Sequence, residues 1–116
     1  MELIALLTSN KQTWSQVSGL IKEGEWDNII VLGTDEAKSF TAEKNFEFIK
    51  TDFDQRLVDL KQELQEKLKG KIKGTEVALT IASGNGKEHM ALISAILSQP
   101  AGIRFTALTK DGIVFL

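Results

Sequence analysis

Apolar residues fall into two alternating patterns along this chain. Short unbroken runs, such as Leu3–Leu7 and 28-NIIVL-32, suit strands covered on both faces. Between the runs, apolar residues recur every three or four positions, as a helix with one buried face requires. Leu3–Leu7 is the first predicted strand, and Thr8-Ser9-Asn10 ends it. Thr13 with Gln16 three residues on has the form of a capping box. Trp14, Val17 and Ile21 then follow at helical spacing, and Gly24 stops the helix. Asn28–Leu32 is the second strand, closed by Gly33-Thr34-Asp35, and a short helix is expected to about Glu43. Glu47–Lys50 is a third, weaker strand. Asp54 is placed to cap a helix running to about Leu68, on which Leu57, Leu60, Leu64 and Leu68 form one stripe. That stripe is short for a coiled-coil seam and fits a helix packed on a sheet. Val77–Ala82 is the fourth strand. A helix from about Lys87 to Ser98 stops before Pro100, and Ile103–Leu108 is the fifth strand. Lys110-Asp111-Gly112 turns the chain so that 113–116 folds back as a hairpin partner.

Strands alternating with helices predict an α/β fold, a Rossmann-like doubly wound and mostly parallel sheet with an antiparallel strand at its end. Residues 1–116 make one domain by size. A strand order of about 3-2-1-4-5 sets strands one and four side by side, with their following helices on opposite faces. The crevice at their carboxyl ends is then the default ligand site. The two loops that border it are Thr8-Ser9-Asn10 and 83-SGNGK-87.

Composition narrows the functions open to such a site. Net charge is −2 at pI ≈ 5.4, which argues against a general duplex nucleic-acid binder but leaves room for one small anion. With no cysteine, disulfides, thiolate sites and a cysteine nucleophile are excluded. One histidine and no cysteine argue against a metal centre, and no cofactor is expected. The first ten residues lack a basic start and a small-residue cleavage site, so they read as a strand rather than a signal peptide. No apolar run approaches membrane-spanning length, and a cytoplasmic setting fits.

The chemistry of the two loops points one way. Residues 8–11 and 83–87 contain no acidic side chain. Thr8, Ser9 and Ser83 supply hydroxyls, Asn10 and Asn85 supply amides, and Lys11 and Lys87 supply charge. Gly84 and Gly86 allow close backbone approach. Free N–H groups at the start of a helix favour an anion, whereas Lys87 in the first turn opposes the macrodipole unless an anion compensates it. The plainer alternative stays open: Asn85 with Glu88 is a helix-cap pattern, and glycines before a helix are common in turns. Neither known phosphate motif fits, because a P-loop glycine is replaced by Ile81 and the third dinucleotide glycine by His89. His89 is either an acid–base group or a packing residue. "DLK" at 59–61 sits on a helix stripe, where a nuclease pair would not, and the basic run 67-KLKGKIKG-74 reads as a solvated turn.

With these loops placed, the chain resembles the CRISPR-associated Rossmann-fold (CARF) domain family. The likeness is best in 79-LTIASGNGKEHMALISAIL-97 and 103-IRFTALTKDG-112, and looser in 3-LIALLTSN-10 and 28-NIIVLGTDEAKS-39. The family usually has two adjacent glycines before its basic residue; here Asn85 separates them. The resemblance implies a homodimer with a cyclic oligoadenylate across its two-fold axis. It also implies that Thr8, Ser9, Asn10, Ser83, Gly84, Asn85, Gly86 and Lys87 contact phosphates and riboses. No effector domain is recognised up to Leu116, so a stand-alone member is expected. It would be either a metal-independent ring nuclease, with Ser9 and Lys87 as its catalytic pair, or a non-catalytic sensor or sink. A Rossmann-like scaffold unrelated to this signal is the remaining alternative.

Overall fold

The computed structural model describes all 116 residues. Strands β1 (Glu2–Leu7), β2 (Ile29–Gly33), β3 (Glu47–Lys50), β4 (Glu76–Thr80), β5 (Gly102–Thr109) and β6 (Gly112–Phe115) form one sheet in the order β3-β2-β1-β4-β5-β6. All neighbours are parallel except β5 and β6, which form the antiparallel hairpin. Three helices cover the sheet: α1 (Trp14–Glu23), α2 (Leu57–Leu68) and α3 (Gly86–Leu97). This is the expected Rossmann-like architecture, with β6 added at the edge.

The unbroken apolar runs have their reason in the two-sided core. On one face Ile4, Leu6, Ile30, Leu32 and Leu79 pack against Leu60, Leu64 and Leu68 of α2 and Ala91, Leu92, Ala95 and Ile96 of α3. On the other, Leu3, Ala5, Leu7, Val31 and Ala78 meet Val17, Leu20 and Ile21 of α1. Because successive strand residues point to opposite faces, a strand sandwiched this way has no position left for a polar side chain. The charged exception is Glu2, 3% exposed, whose carboxylate accepts from the Lys73 N–H and ties the basic turn to the foot of β1.

Two helix caps and the extent of one helix differ from expectation. Thr13 does not cap α1: its backbone is already helical, and its hydroxyl donates to the Asn10 carbonyl at 2.8 Å. The cap is Asn10, whose Oδ1 accepts from the Gln12 N–H at the head of a 3₁₀ turn, Lys11–Thr13, leading into α1. Asp54 does not cap α2; its own N–H donates to Asp52 Oδ1, and Arg56 precedes the helix without a side-chain cap. The helix expected to Glu43 is a 3₁₀ turn, Asp35–Ser39. It stops because Phe40 turns inward, 5% exposed, against Trp14 and Phe46.

Gln16 has a different task from capping. β4 ends at Thr80 while β5 runs on to Thr109, so the backbone of Leu108 has no strand beside it on that side. The Gln16 amide takes that place: Nε2 donates to the Leu108 carbonyl at 3.2 Å, and Oε1 accepts from the Leu108 N–H. Gln16→Leu leaves both backbone groups unpaired in a half-buried setting. We expect it to destabilise the fold by about 1–3 kcal/mol, measured by urea denaturation, with Gln16→Glu recovering only the bond from the Leu108 N–H.

Candidate functional site

β1 and β4 are adjacent; α1 follows β1 onto one face of the sheet and α3 follows β4 onto the other. Their carboxyl ends therefore form the switch point of the sheet. The two exit loops are tied together there. The Thr8 N–H donates to Ser83 Oγ at 3.1 Å, and the Thr8 and Ser83 hydroxyls pair at 2.9 Å. Ser83 is 1% exposed, so its hydroxyl holds the loops together instead of facing outward. From this pair the bonding runs to both helices. Trp14 Nε1 of α1 donates to the Thr8 carbonyl at 2.9 Å, and His89 Nε2 of α3 bonds the Ser83 carbonyl at 2.8 Å. A carbonyl only accepts, so the ring proton of His89 lies on Nε2. His89 thus fixes the start of the glycine loop.

Beyond Ser83 the backbone turns through Gly84 at φ +99°, a conformation that side chains resist. Asn85 then caps α3 in a full box: its Oδ1 accepts from the Glu88 N–H at 2.9 Å, and Glu88 Oε1 accepts from the Asn85 N–H at 3.0 Å. The cap pattern and the glycine loop therefore coexist. The box satisfies two donors and leaves the N–H groups of Gly86 and Lys87 without a partner in the chain. Nothing lies within 4 Å of where a Cβ on Gly86 would sit. The front of α3 is open at that point.

The eight candidate residues divide by what remains free. Thr8 and Ser83 are spent on each other. Asn10 and Asn85 each spend their oxygen on a cap and keep an amide NH₂. Ser9 is exposed beside the crevice. Gly84 shapes the turn, and Gly86 opens it. Lys87 points elsewhere: its ammonium donates to the Gln55 carbonyl at 2.7 Å, on the side of α2. That contact gives the ammonium a partner in the loop before α2.

Lys87 borders a cleft that the sequence did not announce. It has a volume of about 600 Å³ and lies between the exits of β2 and β3 and the start of α3. Asp35, Glu36, Asp52, Asp54 and Glu88 line it against only Lys50 and Lys87, so it repels a polyanion. Lys38 at 2.9 Å and Lys50 at 3.5 Å hold the Asp35 carboxyl below the usual carboxylate range. The acidic side chains do not converge into a group that could hold a metal ion. The signal for this cleft was present in 34-TDE-36 and 51-TDFD-54, which follow consecutive strands. Lys87 borders this cleft and Ser9 does not.

Fold and site together define a Rossmann-like α/β domain whose switch point carries a capped, glycine-opened helix start. No protein-family model matches the chain, and no curated protein matches it. No helix is long and apolar enough to cross a membrane.

Proposed function

We propose that this domain binds a cyclic oligoadenylate, with one phosphate on the free N–H groups of Gly86 and Lys87 and the ring shared by two copies of the chain. The observation that carries this reading is the open, unpartnered start of α3 at the β1–β4 switch point, free of acidic residues on its β1 side. Such a start offers two aligned donors and the positive end of a helix dipole. The amide of Asn85, the cap of that helix, and the hydroxyl of Ser9, exposed on the neighbouring loop after β1, would meet further oxygens. The resemblance of 79–97 to the CARF family supplies the ligand class, and a symmetric ring suits a two-fold axis.

Binding without cleavage is the reading that the placement of Lys87 favours. Cleavage would have a ribose 2′-oxygen attack its own 3′-phosphate, the bond to the departing 5′-oxygen break, and that oxygen take the proton. A linear product with a 2′,3′-cyclic phosphate would result. Lys87 would have to leave the Gln55 carbonyl to steady the charge on the phosphate. Ser9, exposed on the loop that Thr8 ties to Ser83, would then have to orient the nucleophile. Purified protein incubated with cyclic tetra- and hexa-adenylate without metal, then analysed by chromatography and mass, separates these readings. We expect an intact ring that co-elutes with protein at one ring per two chains. Linear product would make the domain an enzyme. A ring neither bound nor cut would leave it a Rossmann-like scaffold.

A further inference from the structure

The sheet ends in two edge strands, β3 and β6, and only β3 is guarded. There Glu47 is exposed and paired with Lys71 at 2.6 Å, and Lys67 donates to the Lys50 carbonyl, so charge and an occupied acceptor block that side. At β6 the run 112-GIVFL-116 holds no charge and no proline. Phe115 is 45% exposed and Leu116 80%. An open, uncharged, apolar edge is a template for another strand.

The register of the hairpin says which groups that edge offers. The Leu116 N–H donates to the Phe105 carbonyl at 2.7 Å, and Val114 stands opposite Ala107. Bonding alternates along an antiparallel pair. Gly112, Val114 and Leu116 therefore face β5, while Ile113 and Phe115 turn their N–H and C=O groups to the open edge. The side chains of Ile113 and Phe115 share the α1 face. Ile113 packs on the core there, and Phe115 meets Trp26 edge-on with the Arg104 guanidinium over its ring. Val114 stands on the opposite face.

We propose that β6 pairs antiparallel with β6 of a second copy of this chain, about a two-fold axis at Val114. Ile113 of each copy then stands opposite Phe115 of the other and exchanges both N–H···O=C bonds with it. Every outward group of Ile113 and Phe115 is satisfied by its own symmetry mate. Ile113 against the Phe115 ring is a favourable cross-strand pair. The product is a continuous sheet with six strands from each copy. Its outer edges are both β3, which is blocked, so the pairing closes at two copies. This contact is not the one a shared ring would make. The two-fold reverses the strands, so the two α3 starts lie at opposite ends of the joined sheet. The inference goes beyond the proposed ligand and stands without it.

Sedimentation equilibrium and amide hydrogen exchange of the full chain without ligand test this, at about 1 μM to 1 mM, the span that suits a small interface. The mass is expected to rise from one chain to two and no further. The Ile113 and Phe115 amides should gain protection over the same range, while the Val114 amide, bonded to β5, is protected throughout. Phe115→Pro removes an outward donor from each copy and no bond within the hairpin. Val114→Lys sets two ammonium groups against each other at the axis and leaves the backbone unaltered. Each should weaken pairing at least about tenfold, with the Val114 or Lys amide at 114 still protected. Cyclic tetra-adenylate is then added to separate this contact from the ring. Pairing without the ring, and no response to it, would sustain the edge and refute the cyclic ligand. Pairing only with the ring, with Ile113 and Phe115 unprotected, would overturn the edge and sustain the ring. A single chain at every concentration, growth beyond two chains, or pairing that both variants leave intact also overturns this inference.

Discussion

Gly84→Ala is expected to lose about 2–5 kcal/mol of stability, the sum of a strained backbone and a forced overlap. Gly84 sits at φ +99°, where a Cβ is disfavoured whatever surrounds it. The Cβ would also lie 2.5 Å from Leu6 Cδ2, 2.9 Å from Glu88 Oε1 and 3.2 Å from His89 Nε2. Leu6 belongs to the fully buried core and cannot retreat. Glu88 and His89 are the two side chains that fix the loop, through the capping box and through the Ser83 carbonyl. Relief at Gly84 therefore breaks one of those bonds. The melting temperature should fall on the order of 10 °C or more, read by circular dichroism. A melting curve unchanged within a degree would mean that the loop has a second, unstrained path.

Gly86→Asp, two residues on, is expected to do the reverse. Gly86 is exposed, has no positive φ, and nothing lies within 4 Å of a Cβ there. An aspartate in the first turn favours the macrodipole, and replacing glycine narrows the unfolded ensemble. We expect a stability gain of about 0.5–1 kcal/mol. The same carboxylate would stand where the proposed phosphate rests. Like charges brought together at an interface cost several kcal/mol, so binding of the cyclic ring should fall at least about 100-fold. A better-folded protein that has lost its ligand separates function from folding, which Gly84→Ala cannot do. If Gly86→Asp binds as tightly as the parent, the phosphate is not at α3.

The sequence was most legible where both faces of a strand are buried. In β1, β2 and β4 the apolar runs marked strand, burial and parallel neighbours at once, and right-handed connections then left few strand orders open. The leucine stripe of α2 was equally plain, with Leu60, Leu64 and Leu68 wholly buried. Helix starts were less so. Thr13 and Asn10 can both cap, and which one does depends on the chain entering α1 through a 3₁₀ turn. The length of the turn after β2 depends on Phe40, whose burial is a tertiary matter.

At the site, Asn85 and Glu88 advertised their box in their spacing, and it is present. The partnership of Thr8 with Ser83 was not visible, because the two are 75 residues apart and meet only when β1 and β4 are neighbours. Nor was the direction of Lys87, whose long flexible stem reaches a carbonyl in the loop before α2.

In the proposed complex an anionic ring rests on the start of α3. The most direct measurement is a titration of the wild-type chain with cyclic tetra- and hexa-adenylate, following the amides of Gly86 and Lys87 by NMR. These two resonances are expected to shift together and saturate at one ring per two chains. Amides of the acidic cleft at Asp35 and Asp52 should move little. Unmoved Gly86 and Lys87 resonances at saturating ring, or shifts centred on the acidic cleft, would contradict it.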